Sequence, residues 1–417
     1  MLTSSRVALA ALGVTVLFLP RVVAQAPAEQ APRFKATELL LPAVAQGPHH
    51  RVADDVRTEG FFHIFEIAST FGTFEAVGRT ELAVRIQEIA ALAALDEVSK
   101  TEVFLSAAGQ SVVKIGQGAA AVVTDPAGTV KGVGAGVKKV GVNLGRRAQR
   151  AVTSAGDDAT PDGGANASTG AAATGAANSM LGVTGAMRQW ARKVGVDPYT
   201  TNTVLRKALE DVAKVDAAGS LVTKIAVPVP APVGTVSSIG DLVWGKDPEE
   251  VRKINERSLR TLGVPDDVAN RLFGNRWFTL TSQTRLAAAL GKVNVKGVVD
   301  YVRTAAGAAT AREALFFVES AEMLQQAHTR KPVTGILTDS RAMVAADAAG
   351  TSRALLPLDW ISWTGETQSA TREIAARAKA ELRSTRFEIV ITGRVSDLAR
   401  RELEKQGWAV TTAPPTR

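Results

Sequence analysis

The chain of 417 residues contains no cysteine, only four histidines and two tyrosines, and 5% aromatic residues. The lack of cysteine excludes disulfides, thiol catalysis, cysteine zinc sites and iron–sulfur clusters. Because histidine is scarce, sites built from imidazole groups are limited as well. The sequence predicts no cofactor and no metal site, and it assigns no catalytic residue.

The remaining composition is that of a folded protein, with 46% hydrophobic and 22% charged residues. These fractions exclude a wholly disordered chain and a coiled-coil rod. Since aromatic side chains are few, the cores are expected to consist mostly of Ala, Val and Leu. At about 100–200 residues per domain, the length leaves room for two or three domains.

Residues 1–24 have the pattern of a secretory signal peptide. Arg6 precedes the uncharged run Val7–Pro20, and small residues follow at Ala24 and Ala26. The run is shorter than the roughly 20 residues that a membrane-spanning helix requires. We therefore expect an exported protein, periplasmic or secreted, with cleavage after Ala24; the alternative is an N-terminal membrane anchor.

The net charge is +8 at pH 7, and it becomes +6 once Arg6 and Arg21 leave with the signal peptide. A basic exported protein can associate with anionic lipid surfaces or acidic polymers. Its basic residues are spread along the chain and are not interleaved with aromatic residues. Nucleic acid is therefore not an expected partner.

Changes in composition divide the rest of the chain into five segments. They are an extended proline-containing leader at 25–57, a mainly helical region with a glycine-rich helix at 58–152, a flexible linker at 153–187, an all-α domain at 188–330 and an α+β domain at 331–417. The linker is rich in Gly, Ala, Ser and Thr and cannot bury a core. The predicted fold class is mainly α with a smaller C-terminal α+β domain, with the low-complexity linker between the two halves.

Local patterns add strands and helices to this division. FHIFEIAS (62–69) and GTFEAVG (72–78) have strand-like composition, and helical spacing of apolar residues starts at Thr80. In the C-terminal segment, FEIVIT (387–392) is a predicted strand. Ser396 is predicted to cap a helix that ends at Gly407, with a last strand after it.

A glycine repeat is the strongest oddity of the sequence: Gly128, Gly132 and Gly136 form GxxxGxxxG. Each glycine inside a helix costs about 1 kcal/mol relative to alanine. Such helices persist where the glycine face lets another backbone approach closely, as in membrane dimers. We predict a helix-association face that contacts either a membrane surface or a second copy of the chain. The alternative is a segment packed within its own domain, or a disordered one.

Three short motifs match catalytic or nucleotide-binding patterns only in part. Gly240–Lys246 fits GxxxxGK, but Asp247 follows where the phosphate loop needs a hydroxyl. Gly116–Ala121 fits GxGxxA without a preceding strand, and Ser111–Lys114 fits SxxK without the partner motifs of penicillin-binding enzymes. We interpret all three as helical segments or helix ends.

His49, His50, Asp54 and Asp55 form a cluster of histidines and carboxylates. A divalent ion would accept these ligand types. They lie in the proline-containing leader, which lacks the rigid frame that a metal site needs. We interpret them as surface side chains, and His63 and His328 as single packed or solvated histidines.

Trp360, Trp363 and Trp408 lie in the C-terminal segment. Aromatic clusters can stack on sugars, but a small domain with few aromatic residues also needs them for its core. We favour the core.

These observations favour an exported, envelope-associated protein that acts by binding, scaffolding or membrane-surface association and is not an enzyme. One alternative is a hydrolase of an envelope polymer that uses paired carboxylates. Another is a pore-forming or toxin-like protein that acts through residues 100–150. Two facing buried carboxylates in a concave pocket would favour the hydrolase.

Overall fold

The computed structural model describes residues 28–108, 182–216, 221–225, 239–339 and 342–413. Its strands are β1 (Arg33–Lys35), β2 (His50–Val52), β3 (Asp55–Glu59), β4 (Phe62–Ser69), β5 (Gly72–Val77), β6 (Val333–Asp339), β7 (Ala342–Asp347), β8 (Thr351–Leu356), β9 (Trp360–Ile361), β10 (Arg386–Ile391), β11 (Arg394–Val395) and β12 (Trp408–Thr412). Its helices are α1 (Ala36–Leu39), α2 (Pro42–Ala45), α3 (Arg79–Ser99), α4 (Glu102–Ala108), α5 (182–193), α6 (Thr203–Val215), α7 (Leu221–Lys224), α8 (Gly240–Gly245), α9 (Pro248–Thr261), α10 (Asp266–Gly274), α11 (Leu280–Gly291), α12 (Val298–Ala305), α13 (Ala311–Arg330), α14 (Gly365–Leu382) and α15 (Asp397–Lys405).

Strands β1 to β5 form an antiparallel sheet, the N-terminal sheet. β4 lies at its centre, with β5 along one edge, β2 and β3 along the other, and β1 beside β3. Residues of β3 alternate between exposed and buried, as expected of a strand with one face on a core. In the turn from β4 to β5, the Ser69 hydroxyl donates to the Gly72 carbonyl oxygen at 2.8 Å. Gly72 has a φ of 114°, which glycine adopts without strain.

The N-terminal sheet shares one core with helices from distant parts of the chain. Phe65 and Ile67 of β4 belong to the same apolar cluster as Leu92 of α3. The cluster also contains Trp190 of α5 and Leu205 of α6, which follow the undescribed residues 109–181. Residues 182–216 therefore fold against the N-terminal sheet.

Helices α9 to α13 build a second core. In α9 the buried residues Val251, Asn255 and Leu259 recur every fourth position, so one stripe of the helix faces inward. Leu259 joins apolar residues of α11 and α13, including Leu286 and Val318. This helical core continues onto one face of the C-terminal strands.

The C-terminal sheet is mixed, with strand order β12-β10-β8-β7-β6. β8, β10 and β12 are parallel to their neighbours in this group, and β7 is antiparallel to both β6 and β8. The helices α14 and α15 connect the parallel strands, as parallel pairing requires.

Both faces of the C-terminal sheet are covered. Ile336, Met343 and Leu355 belong to the helical core, whereas their sequence neighbours Leu337 and Val344 belong to a third core. Since successive strand residues point to opposite faces, these two cores lie on opposite sides of the sheet. The third core also contains residues of α14 and α15. All six residues of β7 are buried, as expected for a strand inside a sheet covered on both sides.

The predicted fold class, mainly α with a smaller C-terminal α+β domain, is wrong. A five-stranded antiparallel sheet lies in the N-terminal part of the described chain, and a second five-stranded sheet of mixed direction lies in the C-terminal part. The N-terminal sheet draws β1 to β3 from residues 33–59, most of which were predicted to be an extended leader. β1 and β2 have three residues each, which is too short for a visible alternation of apolar residues.

The predicted linker at 153–187 lies outside the described residues as far as position 181, and its last residues, 182–187, are helical. The glycine face of Gly128, Gly132 and Gly136 also lies outside the described residues.

Candidate functional site

Two cavities of different character lie in the described part of the protein. We call them the apolar cavity and the polar cavity. They are built from different elements, apart from α13, which borders both.

The apolar cavity has a volume of about 580 Å³ and lies where the N-terminal sheet, α13 and the C-terminal sheet meet. Its apolar lining consists of Phe61, Phe62, Ala309, Phe316, Ala342, Leu356, Leu358, Ile361, Ala370, Ile374 and Ile389. Several of these residues belong to the third core, so the cavity is a gap in that core. It is partly open to solvent.

Local structure explains why a gap forms there. The turn between β3 and β4 uses Gly60 at a φ of 58° and places Phe61 and Phe62 against the C-terminal sheet. The Phe61 carbonyl oxygen accepts hydrogen bonds from the backbone amides of Asp359 and Trp360, both at 3.1 Å. The sheet and α14 contribute the small side chains of Ala342 and Ala370, which leave the space unfilled.

Three charged side chains, which we call the rim, border the apolar cavity: Arg312, Glu313 and Glu366. The Arg312 guanidinium stacks over the Phe62 ring at 4.4 Å and pairs with Glu319. Glu313 accepts a hydrogen bond from the Ala309 amide at 2.6 Å. Glu366, in the first turn of α14, is exposed and has no hydrogen-bond or ion-pair partner among the described residues.

The polar cavity is smaller, about 170 Å³, and lies between α3, the segment 195–201, α11 and α13. Its lining is rich in charged and hydroxyl side chains, namely Glu81, Arg85, Glu88, Asp197, Tyr199, Thr200, Thr201, Thr279, Thr281, Ser282, Arg285 and Arg312. Trp277 adds an aromatic ring to the lining.

Glu88 of α3 is a buried carboxylate with its hydrogen bonds satisfied. It accepts from the Arg85 guanidinium at 2.7 Å and from the Asn202 side-chain amide at 3.0 Å. The Thr200 hydroxyl also donates to it. Because Asn202 also caps α6, Glu88 fixes the segment that leads into that helix.

Asp197 is the second carboxylate of the polar cavity. Its Oδ1 accepts from the Thr281 hydroxyl at 2.6 Å and from the Tyr199 amide at 2.8 Å. Burial raises the pKa of Asp197 to about 6, and the neighbouring Glu88 acts in the same direction. The two hydrogen bonds and the Arg285 guanidinium act in the opposite direction. With this pKa, Asp197 changes its protonation state around pH 6.

Two other ionisable groups beside the polar cavity are deeply buried. Arg285 of α11 forms a bidentate ion pair with Glu322 of α13, at 2.7 and 2.8 Å. Burial raises the pKa of Glu319, against the lowering effect of Arg312 and Arg285. The buried atoms Tyr199 Oη, Arg312 Nε and Glu319 Oε1 have no hydrogen-bond partner in the described residues. Unpaired buried polar atoms are uncommon and point to a bound group or water.

The structure separates the site residues that the sequence suggested. Gly240–Gly245 forms α8, so the GxxxxGK pattern is helical and not a phosphate-binding loop. His50 contacts the Val44 carbonyl oxygen at 3.0 Å, and Asp55 pairs with Arg33 at 2.7 Å. The described residues contain no group of three or more His, Asp or Glu side chains placed to hold a metal ion. The SxxK and GxGxxA patterns lie outside the described residues.

The three tryptophans of the C-terminal segment differ in burial. Trp363 and Trp408 are buried in the third core. Trp360 is partly buried and contacts the Phe34 ring, with 5.1 Å between centroids.

Sequence reasoning missed both cavities. Nothing in the sequence around Asp197 indicated that this residue would lie beside Glu88. These residues meet only because α5 and α6 fold against α3.

No helix in the described part of the chain is both long enough and apolar enough to cross a membrane. The chain matches none of the protein-family models, curated proteins or solved structures with which it was compared.

Proposed function

We propose that the protein binds a small amphiphilic molecule, with the apolar part of the ligand in the apolar cavity and the polar end at the rim. The cavity itself carries this proposal, with about 580 Å³ of space lined by apolar side chains from three regions of the chain. Ligand pockets typically measure about 300–1,000 Å³ and are mostly apolar, with a few polar groups.

Burial of apolar surface supplies the binding energy. Protein interiors normally fill their space closely, so a gap of this size leaves apolar surface without packing partners. A ligand that covers this surface gains about 25 cal/mol for each Å² of apolar area removed from water. An elongated hydrocarbon body therefore suits the lining.

The rim defines the polar end of the ligand. Arg312 and Glu313 already have partners in the protein, whereas the Glu366 carboxylate has free acceptor positions. Glu366 can therefore accept a hydrogen bond from a hydroxyl or amine group of the ligand.

Dye binding tests the proposal. N-Phenyl-1-naphthylamine fluoresces strongly in apolar surroundings, and we expect the parent protein to bind it and long-chain alcohols to displace it. Ala370→Trp puts a large ring into the cavity and should reduce dye binding at least tenfold. Ala376→Trp is the matched control, because Ala376 lies on the same helix and is exposed. Dye binding by a folded Ala370→Trp variant at the parent affinity would contradict the proposal.

Export of this binding protein is part of the proposal. It is supported by the signal-peptide pattern of residues 1–24. N-terminal sequencing of the protein from expressing cells should find a chain that starts at Gln25. A cytoplasmic chain that starts at Met1 would contradict export.

A paired-carboxylate hydrolase is favoured by one observation, the position of Asp197 beside Glu88 in the polar cavity. Acid–base catalysis needs one carboxyl that can release a proton and one that can accept a proton or attack. Glu88 uses its oxygens to accept bonds from Arg85, Thr200 and Asn202. Binding therefore accounts for the geometry better than hydrolysis does.

Association through Gly128, Gly132 and Gly136, and pore formation through residues 100–150, both stay predictions. The glycine face and most of that segment lie outside the described residues. Either activity is compatible with a ligand-binding function of the described part.

A further inference from the structure

We propose that the polar cavity is a second binding site, which takes a small organic cation of the amine class. This inference is independent of the apolar cavity and of its ligand. It rests on the pairing of charges around the polar cavity, on the size of the cavity and on an unpartnered hydroxyl group in its wall.

The arginines that line the polar cavity are paired with carboxylates, whereas one of its carboxylates is not paired with a basic side chain of the described residues. The arginines that line it already have carboxylate partners: Arg85 with Glu81 and Glu88, Arg285 with Glu322, and Arg312 with Glu319. Asp197 has no ion-pair partner within the described residues, although it lines the same cavity. A cationic group next to Asp197 would supply the missing charge. An anion would find no unpaired guanidinium among the three arginines that line the cavity, and it would be repelled by Glu88 and Asp197.

The remaining lining suits an amine. An ammonium group donates up to three hydrogen bonds and needs acceptors. Asp197 is one acceptor, and the buried Tyr199 hydroxyl oxygen, which has no partner in the part of the chain that the structure describes, is another. The Trp277 ring also borders the cavity, and the exposed Arg276 guanidinium already stacks over it, 4.4 Å from the ring centroid.

The size of the cavity limits the ligand. At about 30 Å³ for each water molecule, 170 Å³ has room for about five or six waters. A diamine with a four-carbon chain has six non-hydrogen atoms and is of this size. Because Glu366 at the rim of the apolar cavity can also accept a hydrogen bond from an amine, the two sites are separated by filling the apolar cavity.

Protonation of Asp197 should oppose binding of the cation. Two charged groups face Asp197, Glu88 from α3 and Arg285 from α11. The Thr281 hydroxyl and the Tyr199 amide donate hydrogen bonds to its carboxylate. Together they leave the pKa of Asp197 at about 6, so the carboxyl is ionised above this pH. Below this pH, the carboxyl of Asp197 is protonated and no longer carries the negative charge that attracts the cation. Affinity should therefore fall by about tenfold from about pH 7.5 to about pH 5.

The test compares putrescine with 1,4-butanediol, its neutral counterpart of equal length, by ligand-observed NMR on the full chain. The chain carries Ala370→Trp, so that the apolar cavity is filled. We expect putrescine to bind with the pH dependence above and butanediol to bind at least tenfold more weakly. Equal binding of the two compounds, which would indicate a site for neutral polar molecules, overturns the proposal. So does the lack of putrescine binding at about pH 7.5.

Single substitutions in the lining of the polar cavity test whether putrescine binds there. Asp197→Asn keeps the hydrogen-bond acceptor but removes the charge, and it should abolish both putrescine binding and its pH dependence. Tyr199→Phe should weaken binding several-fold and leave the pH dependence in place. Asp241→Asn, an exposed acid outside the cavity, is the matched control and should bind like the parent. Parent-like binding by folded Asp197→Asn overturns the proposal; if that variant unfolds, Tyr199→Phe and the parent's pH profile decide.

Discussion

At the residue scale, buried carboxylates hold separate parts of the chain together. Asp359, just before β9, accepts hydrogen bonds from the His63 amide at 3.0 Å and from the Arg79 amide at 3.3 Å. The Arg79 side chain adds an ion pair at 3.4 Å. Asp359 thus joins the N-terminal sheet and α3 to the C-terminal sheet, next to the apolar cavity.

Replacing Asp359 tests this junction. Asp359→Ala leaves the His63 and Arg79 amides without their acceptor, and each unpaired buried donor costs about 1–3 kcal/mol. We expect a loss of about 2–4 kcal/mol in the free energy of unfolding, measured by urea denaturation. Asp54→Ala removes an exposed carboxylate and should cost less than about 0.5 kcal/mol. Similar losses in both variants would show that Asp359 is not a junction.

Asp347 at the end of β7 gives a prediction about pH. Burial by itself would raise the pKa of Asp347, but hydrogen bonds from Lys331, from Arg353 and from backbone amides outweigh it and hold the pKa well below its usual range. Lys331 lies at 2.7 Å and Arg353 at 2.9 Å. A carboxylate with a depressed pKa contributes stability above its unfolded pKa of about 4, and the contribution is lost as the pH falls towards the folded pKa.

Asp347→Asn should therefore destabilise the protein at pH 7 and cost progressively less below about pH 4. Urea denaturation of the parent and the variant across this range measures the difference. A difference in unfolding free energy that stays constant down to about pH 2 would exclude this role of Asp347.

The residues of both cavities could not be predicted from the sequence. Asp197 and Glu88 lie far apart in the chain, and each alone resembles an ordinary surface acid of a helical protein. The lining of the apolar cavity resembles any core, because Ala342, Ala370 and Ile374 are buried types in regular elements. These residues form a site only because the packed elements leave a space between them. That space cannot be predicted from a single sequence.

At the scale of elements, local patterns were informative where an element is long enough to show them. The strands 62–69 and 387–392 were predicted and occur as Phe62–Ser69 and Arg386–Ile391. Ser396 caps α15 as predicted, with its hydroxyl accepting from the Ala399 amide at 3.0 Å. By contrast, the apolar segment ALLPLDWISW (354–363) reads as one continuous strand but is divided between β8 and β9, since Pro357 cannot donate to a sheet.

The Ser396 cap also connects to the N-terminal segment. Its hydroxyl donates to the Glu29 carboxylate, which also accepts from the Trp363 amide. The Glu29 amide in turn donates to the Trp363 carbonyl oxygen at 2.9 Å. One serine therefore serves both a helix end and a long-range contact.

A double-mutant cycle tests this shared role. Ser396→Ala should cost about 1–2 kcal/mol, because helix-cap replacements cost about 0.5–2 kcal/mol and a second bond is lost here. Glu29→Ala should cost about 0.5–1.5 kcal/mol. The double variant should lose less than the sum of the two, by about 0.5 kcal/mol or more. Strict additivity in urea denaturation would mean that the two side chains act separately.

At the scale of the whole molecule, the order of elements along the chain misled the prediction of the fold. Low complexity at 153–187 suggested two separate halves, yet Trp190 and Leu205 lie in the same core as Phe65 and Leu92. Composition detects segments that cannot build a core, but it does not reveal which flanking segments build one together. Strands β1 to β3 of the N-terminal sheet were missed for a related reason, since these short strands are stabilised by pairing and not by local pattern.

The shared core predicts how the protein behaves when its chain is cut. A protease site inserted between residues 153 and 181 should allow complete cleavage without separation of the fragments. The two fragments should elute together in size-exclusion chromatography, because Trp190, Leu205 and Leu209 stay packed against the N-terminal sheet and α3. They should separate only in denaturant. Separation in native buffer would refute the shared core.

A series of n-alkanols of increasing length tests whether the apolar cavity binds the hydrocarbon part of an amphiphile. Each methylene group transferred from water is worth about 0.8 kcal/mol, or about a fourfold change in affinity. Isothermal titration of the parent should therefore show affinity that rises about fourfold per methylene and levels off once the cavity is full. The rise should be absent from Ala370→Trp and retained by Ala376→Trp. An affinity that does not depend on chain length, or a rise that persists in folded Ala370→Trp, would exclude binding of the hydrocarbon part in the apolar cavity.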